Sequence, residues 1–524
     1  MVEEGHVGLE GRTKVFVVIG LMLAMSVAAL DGTVVSTAMP TIVGKLGGLS
    51  LFSWVFSIYL LTSTVPVPLY GKLADLYGRK PVLLFGCGMF MAGSALCGAA
   101  GSMEQLIIFR AVQGLGAGAI MPIVITIIGD NFMIEERARI QGFFSGVWGF
   151  ASLLGPVVGG LITQGVSWRW IFLINLPIGA LGILILWYFF HENLTRRRHV
   201  IDFYGMSLLS GSLVAFLLAL LDGVTNWGWF GGPTLALFFV AAVLLGIFLW
   251  QEQRVEEPLI LLSLFKNKVI AIVSLSMLMA GAMMFGFQSY VPLFVQGVRG
   301  GSALDAGLVL LPMSFLWTVG SVVSGFLLVR YGYYLSLVVG GVLLVVGAAT
   351  LLFLGRDTTM MVAVISGAFC GIGMGFCMPA LMISVQNAVE WHQRGVATAL
   401  AQFFRTIGGS VSVAIMGAML TSRMSGRLDG VNGVPEGFKA DSLLNNAERT
   451  NLSASVLDAA ESVLATSLHE VYFLILACAA ITLAVVLFFP RGKAQELMVG
   501  AEKPVEGSRE AIQPEPGIGL IGGG

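Results

Sequence analysis

The sequence predicts an all-α polytopic membrane protein with 14 transmembrane helices, and three observations carry that prediction. Of 524 residues, 56% are hydrophobic and only 11% charged, with a mean hydropathy of +0.89, far from soluble averages. Apolar runs long enough to cross a bilayer core of roughly 30 Å begin near Val15, Phe52, Val82, Gln105, Ile140, Trp170, Phe203, Pro233, Val269, Ala306, Tyr333, Met360, Val396 and Leu468. Basic residues then gather on alternate connections: Arg12 and Lys14, Arg79 and Lys80, Arg137 and Arg139, Arg196 to Arg198, Lys266 and Lys268, and Arg394. The opposite connections carry only isolated Lys45, Arg169, Arg299 and Arg356. By the positive-inside bias both termini are cytoplasmic, as expected of a multi-pass protein of the cell membrane.

Each run has its own signals. The first has no small-residue cleavage site and is expected to stay as a helix. It carries Asp31 in its interior and Pro40 towards its end. The second carries Tyr59 and ends in the charged hairpin Gly71-Lys-Leu-Ala-Asp75-Leu-Tyr-Gly78-Arg79-Lys80. There Gly78 can take the left-handed turn, and Pro81 is pre-set to start the third helix. Asp75, an acid in a basic turn, is placed to engage a helix N-terminus or a nearby arginine. The fourth run carries Arg110 and Gln113. The fifth carries Gly142, Gly146, Gly149, Gly155, Pro156, Gly159 and Gly160, a face that admits close approach of another helix, with a bend at the proline.

The seventh and eighth runs resemble neither flank and read as an inserted pair, with Asp222 solvated at the outer end. The ninth and tenth bring Phe285, Gln288, Tyr290 and Trp317, and the thirteenth brings Phe404 and Arg405. Residues 423–466 are expected to form a long polar extracellular segment, partly helical around 459–464. Residues 491–524, rich in Pro, Gly and Glu, read as a disordered cytoplasmic tail. The expected domains are a six-helix bundle over 1–200, an inserted two-helix linker over 201–265, a second six-helix bundle over 266–490, and the tail.

The hairpin has an echo. Residues 325–334 keep the Gly, Leu, Tyr and Gly of 71–80 in register, and Gly114, Gly116, Gly118, Met121 and Pro122 reappear as Gly371, Gly373, Gly375, Met378 and Pro379. Two echoes in one order indicate duplication, a common way to build transporters, with the substrate site near the repeat interface. The second copy has lost its charges: Asp75 becomes Val329, Arg79 and Lys80 become Tyr333 and Tyr334, and Arg110 has Gly367 opposite.

Ionisable residues inside spans are functional candidates by default. Asp31 lies about 24 Å along the first helix and Arg110 about 8 Å into the fourth from its outer end, at 1.5 Å per residue, so the two share a depth. A switchable acid–base pair and a static helix tie are both compatible with that placement. A cavity for an amphiphile would be apolar and aromatic with a few polar groups, which points to Tyr59, Gln113, Phe285, Gln288, Tyr290, Trp317, Phe404 and Arg405. The five cysteines have no disulfide or metal spacing, and a net charge of −1 gives no reason to expect a nucleic-acid partner. No loop offers a nucleophile–base pair or a phosphate-binding strand–loop–helix, so neither an enzyme nor a cofactor is expected.

The hairpin resembles the signature of the major facilitator superfamily, with Leu76 where that family often has a basic residue. Leu30-Asp31-Gly-Thr-Val-Val-Ser36-Thr-Ala-Met-Pro40 is similar to the first-helix signature of its fourteen-helix drug–proton antiporters, with Ser36 in place of a frequent asparagine. Arg110-Ala-Val-Gln113-Gly114 resembles their fourth-helix motif, Gly155-Pro156-Val-Val-Gly159-Gly160 their antiporter motif, and Trp168 to Pro177 the start of their sixth helix. The resemblance implies two bundles plus an inserted pair, working by alternating access. It implies proton coupling at Asp31 and Arg110, and a cytoplasmic latch of Gly71, Asp75, Gly78, Arg79 and Lys80. It also implies a flexible seam at Gly146, Gly155, Pro156, Gly159 and Gly160, and export of lipophilic small molecules against protons by a monomer. A dedicated metabolite, siderophore or lipid exporter would share this architecture, and the seam argues against an uptake symporter.

Overall fold

The computed structural model describes residues 11–132, 134–192, 202–223, 227–255, 258–390, 393–428 and 440–491. Its helices are α1 (Gly11–Leu46), α2 (Phe52–Thr64), α3 (Val67–Tyr77), α4 (Arg79–Ala99), α5 (Met103–Asn131), α6 (Ile134–Gly165), α7 (Trp170–Leu173) and α8 (Asn175–Phe189). They continue with α9 (Phe203–Leu218), α10 (Gly232–Glu252), α11 (Lys268–Leu293), α12 (Ala303–Tyr331), α13 (Tyr333–Leu351), α14 (Met361–Asn387), α15 (Arg394–Leu428), α16 (Asn446–Arg449) and α17 (Ala454–Val486). Among the described residues, 12 helical segments are long and apolar enough to cross a membrane. The expected second and fifth spans are not among these 12. The second is broken at Val65–Pro66 into pieces of 13 and 11 residues, because Pro66 and Pro68 offer no N–H to the ladder.

Helix starts follow local chemistry. Ser102 accepts from the Gln105 amide at α5, Asn267 from the Val269 amide at α11, and Ser302 and Asp305 form a reciprocal capping box at α12. The turn between α3 and α4 is made by Gly78 at φ 101° and ψ 153°, and the turn between α12 and α13 by Gly332 at φ 80° and ψ −179°. Both backbones lie where essentially only glycine is at ease. The echoed hairpins therefore share a geometry as well as a pattern.

The second echo also packs alike. Gly116 of α5 lies against Gly86 and Phe90 of α4, and Gly373 of α14 against Gly340 and Leu344 of α13. Gly114 and Gly118 face Tyr59 and Ser63 of α2, while Gly371 and Gly375 face Met313 and Trp317 of α12. Helices α9 and α10 pair through Ser212, whose hydroxyl donates to the Ala241 carbonyl at 2.8 Å. Leu217, Leu220 and Leu221 then seat this pair on Trp54, Leu61 and Val65 of α2 and on Ile407 and Ala414 of α15.

One end of the bundle, carrying the connections after α1, α4, α6 and α11, ties early and late helices together. Thr41 donates to Gln296 at 2.7 Å, and the Gln296 amide donates to the Thr37 carbonyl at 2.8 Å. Ser53 meets the Tyr290 hydroxyl at 2.9 Å. Ser57 and Ser410 each donate to the other's carbonyl, at 2.9 and 3.0 Å. We call this the far end, opposite the Gly78 and Gly332 turns. Leu444, ahead of α16, lies against Gly44 of α1. Arg449 holds that segment to the carbonyls of Gln296 and Gly297 and to the carboxylate of Glu461, which also pairs with Arg356.

The expected polar segment 423–466 is shorter than its composition implied. Helix α15 continues to Leu428, and α17 begins at Ala454 with Ser453 as its cap. Arg423 and Arg427 lie along α15 and pair with Glu470 of α17, so charged residues that read as loop are helix–helix ties. The basic cluster 196–198 and residues 492–524 lie outside the described residues, as do the side chains of Arg137, Arg139 and Asp222.

Candidate functional site

The site is built where α1, α2, α4, α5, α7 and α8 converge. Helix α4 can approach α5 because position 93 is glycine: a Cβ there would stand 2.5 Å from the Gln113 Cα. That approach places Gln113 between Ser94 and Asp31. The Asp31 side chain is fully buried and the Arg110 side chain is 2% exposed, and Arg110 donates to Asp31 Oδ2 at 2.5 Å. Gln113 completes a closed circuit. Its Oε1 accepts from Arg110 at 2.7 Å, and its Nε2 donates to Asp31 Oδ1 and to Ser94 Oγ, both at 2.8 Å. Asn175 at the start of α8 donates to Ser94 at 3.3 Å and, more weakly, to Asp31 Oδ1 at 3.5 Å. The Tyr59 ring covers the guanidinium, 3.8 Å from its Cζ, and Phe172 stands at 5.9 Å.

A charged pair sealed from water in a membrane span is costly unless every lone pair and proton is used. Here both oxygens of Asp31 accept from donors that have no proton to spare a second acceptor. Three donors answer the two oxygens, while Arg110 Nε and Asn175 Oδ1 are buried in the same network without a partner.

The structure thus joins Asp31, Arg110, Gln113 and Tyr59. Ser94 and Asn175 belong to the same network and had no site reading from sequence. Asn175 stood inside the sixth-helix motif, whereas Ser94 in a run of small residues gave no signal.

The glycine seam divides. Gly155 and Gly159 lie against Thr33, Val34 and Thr37 of α1, while Gly160 and Pro156 meet α12 at Ala303, Leu304 and Gly307. Gly146 meets nothing within 4 Å and is exposed, so the seam closes only over its later half. In the hairpin, Gly71 likewise meets nothing, and the Asp75 side chain lies outside the described residues. The start of α4 is instead occupied by Glu192, which accepts from the amides of Arg79 and Lys80 at 2.9 and 3.0 Å; Lys80 Nζ donates to the Trp187 carbonyl at 2.7 Å.

The remaining aromatic and polar positions scatter along the seam between early and late helices. Gln288 borders a small cavity of about 10 Å³ with Thr33, Ser36, Pro156, Leu310, Met313 and Ser314, room for about one water. The Phe285 ring packs against both large core clusters. Tyr290, expected to line a cavity, is instead fully buried, its hydroxyl bonded to Ser53 and to the Val413 carbonyl. Trp317 packs along α14 at Gly375, and Phe404 stands edge-on to Phe265 and Phe403. Among the described residues, Arg405 reaches no acidic partner. All five cysteines are free thiols.

Repeated helix packing, 12 described helices long and apolar enough to cross a membrane, and an ion pair buried among them describe a polytopic membrane protein. The chain belongs to the Major Facilitator Superfamily, whose family profile matches residues 21–413. It is 39% identical over 419 residues to the multidrug transporter protein MdtP of Bacillus subtilis (strain 168), covering 79% of this chain and 76% of that one. It is 35% identical over 496 residues to multidrug resistance protein 3 of the same organism, covering 93% and 96%. Among solved structures it superposes on an inward-facing, unoccupied bacterial homologue of the human lysosomal transporter Spinster, with TM-score 0.65, 16% identity, and coverage of 94% of this chain and 100% of that one. This protein is a multi-pass membrane transporter rather than an enzyme.

Proposed function

We propose that this chain is a multidrug efflux transporter with fourteen membrane-spanning helices, exchanging lipophilic small molecules for protons by alternating access. The fourteen comprise the 12 apolar spans together with the rods 52–77 and 134–165. In this reading residues 1–200 and 266–490 are the rocking bundles, 201–265 is the inserted pair, and the termini and 491–524 are cytoplasmic. The observation that carries the coupling is the closed circuit of Asp31, Arg110 and Gln113. A proton on Asp31 would remove the charge that holds Arg110, so in this reading proton entry goes with a rearrangement that parts the two. Such a site links proton occupancy to conformation. The far end, tied by Thr41–Gln296 and Ser57–Ser410, is the closed outer mouth of an inward-facing state. The hairpin from Gly71 to Lys80 serves as the cytoplasmic latch that holds the alternative state. The multidrug character is supported by the two Bacillus relatives named as multidrug proteins.

The test is efflux from cells lacking their own drug pumps, with a panel of lipophilic cations, neutral compounds and zwitterions, in the presence and absence of a proton uncoupler. Uncoupler-sensitive export of several unrelated compounds is expected. Export of none of them, or export indifferent to the uncoupler, would overturn the reading.

A further inference from the structure

Arg405, inside α15, has a buried nitrogen, Nε, without a hydrogen-bond partner and, among the described residues, no carboxylate in reach, yet it stays partly exposed. A guanidinium in that setting is costly unless something answers its charge. Nothing in the described protein does. One turn earlier on α15, the Oε1 of Gln402 is likewise buried without a partner.

The register places these groups. Ile407 packs towards the inserted pair with Leu61 and Val65, and Arg405, two residues away, points about 160° round the helix from it, at 100° per residue. Gly409, on the Arg405 side, meets the Phe285 ring, which touches both large core clusters. Arg405 therefore faces the bundle interior, not lipid. The reciprocal Ser57–Ser410 bonds fix its depth. Arg405 lies five residues from Ser410 and Tyr59 two from Ser57, both towards the hairpin end. Arg405 is thus only about 5 Å deeper than the ring that covers Arg110, at 1.5 Å per residue.

The charge balance at this level is one-sided. Asp31 is consumed by Arg110, and the other buried acids sit at the ends: Asp202 caps α9, Glu252 takes the amides of Leu259 and Ile260, and Glu461 holds Arg356 and Arg449. Arg405 leaves an uncompensated positive charge on the side of α15 where Gly409 meets the Phe285 ring, next in sequence to Phe404, which stands edge-on to Phe265.

We infer that Arg405, with Gln402 beside it, is the anchoring point for an anionic group of the transported amphiphile: a carboxylate, sulfonate or phenolate on an aromatic body. The inference rests on the transport reading above and narrows it, since a lone cation would be repelled here while Asp31 remains paired. Arg405 supplies charge-assisted donors to the acid, and Gln402 adds an amide that can donate to it.

Binding to the purified full-length protein in lipid nanodiscs tests this, using biphenyl-4-carboxylate, its carboxamide and its trimethylammonium analogue. The wild type is expected to bind the carboxylate about tenfold or more tighter than the carboxamide, the usual scale of one charge-assisted contact. Arg405→Gln should erase that preference, Arg405→Lys should keep most of it, and neither should weaken the ammonium. Gln402→Glu, which answers Arg405 from within, should also erase the preference while leaving the arginine and the fold in place. Equal loss for all three compounds, no loss for any, or a wild type without preference would overturn the inference. Vesicle transport separates the two claims. Arg405-dependent binding without transport would sink the efflux reading alone, and transport of the carboxylate indifferent to Arg405 would sink the anchor alone.

Discussion

Replacing Asp31 by asparagine perturbs one atom and breaks the circuit in a calculable way. With the amide oxygen towards Arg110, its nitrogen faces the Nε2 of Gln113, a donor against a donor. Turned round, the nitrogen faces the guanidinium instead. Rotating Gln113 only moves the conflict, because its Oε1 already accepts from Arg110 and its Nε2 already serves Ser94. Removing one partner of a buried pair typically costs about 3–5 kcal/mol, whereas removing both with shape retained costs much less. Asp31→Asn should therefore lower the melting temperature of the purified protein, and Asp31→Asn with Arg110→Gln should recover most of the loss. The coupling energy in that cycle should reach about 2 kcal/mol or more. In vesicles, both variants should still equilibrate substrate down its gradient but fail to concentrate it against one. A strictly additive cycle would refute the circuit, and uphill transport retained by Asp31→Asn would refute its role in coupling.

Three further outcomes follow from other contacts. Gly160→Ala puts a methyl about 2.6 Å from the Leu304 Cα, so α6 and α12 must part at the far end; a Thr41→Cys/Gln296→Cys pair in that background should cross-link several-fold less than in the parent, and equal yield would contradict the packing. Glu461→Gln removes the acid shared by Arg356 and Arg449, worth about 1.5–3 kcal/mol for a charged hydrogen bond, and should speed amide exchange over 440–453 at least tenfold without altering the hairpin end. Gly78→Ala forces a side chain into φ 101°, costing about 1–3 kcal/mol, and should destabilise the protein more than alanine at Gly71, which meets nothing within 4 Å; the reverse order would contradict the turn.

Much of this was legible in the chain itself. Apolar runs, basic asymmetry and the echoed glycines are repeated signals, and each repeats because lipid or a neighbouring helix imposes it along a whole element. Asp31 and Arg110 could be matched in depth because helical rise is constant. Ser94 could not be, since nothing local distinguishes a serine that completes a distant network from one that back-bonds its own helix. The polar stretch 423–466 misled for a related reason: Arg423 and Arg427 read as loop until their partner Glu470 on another helix is known. Gly146 and Gly160 look equivalent in sequence, yet only Gly160 is in close contact, with Ala303 and Leu304 of α12.

The central claim is that proton and substrate movements are tied through Asp31, and reciprocity offers the most direct test. Sealed proteoliposomes containing the wild type would be loaded with a transported compound, with no initial pH difference, and internal pH followed after dilution. The account predicts that substrate leaving down its gradient drives protons inward, and that Asp31→Asn releases the substrate with no pH change. Substrate release without proton entry in the wild type, or equal proton entry in the variant, would contradict it.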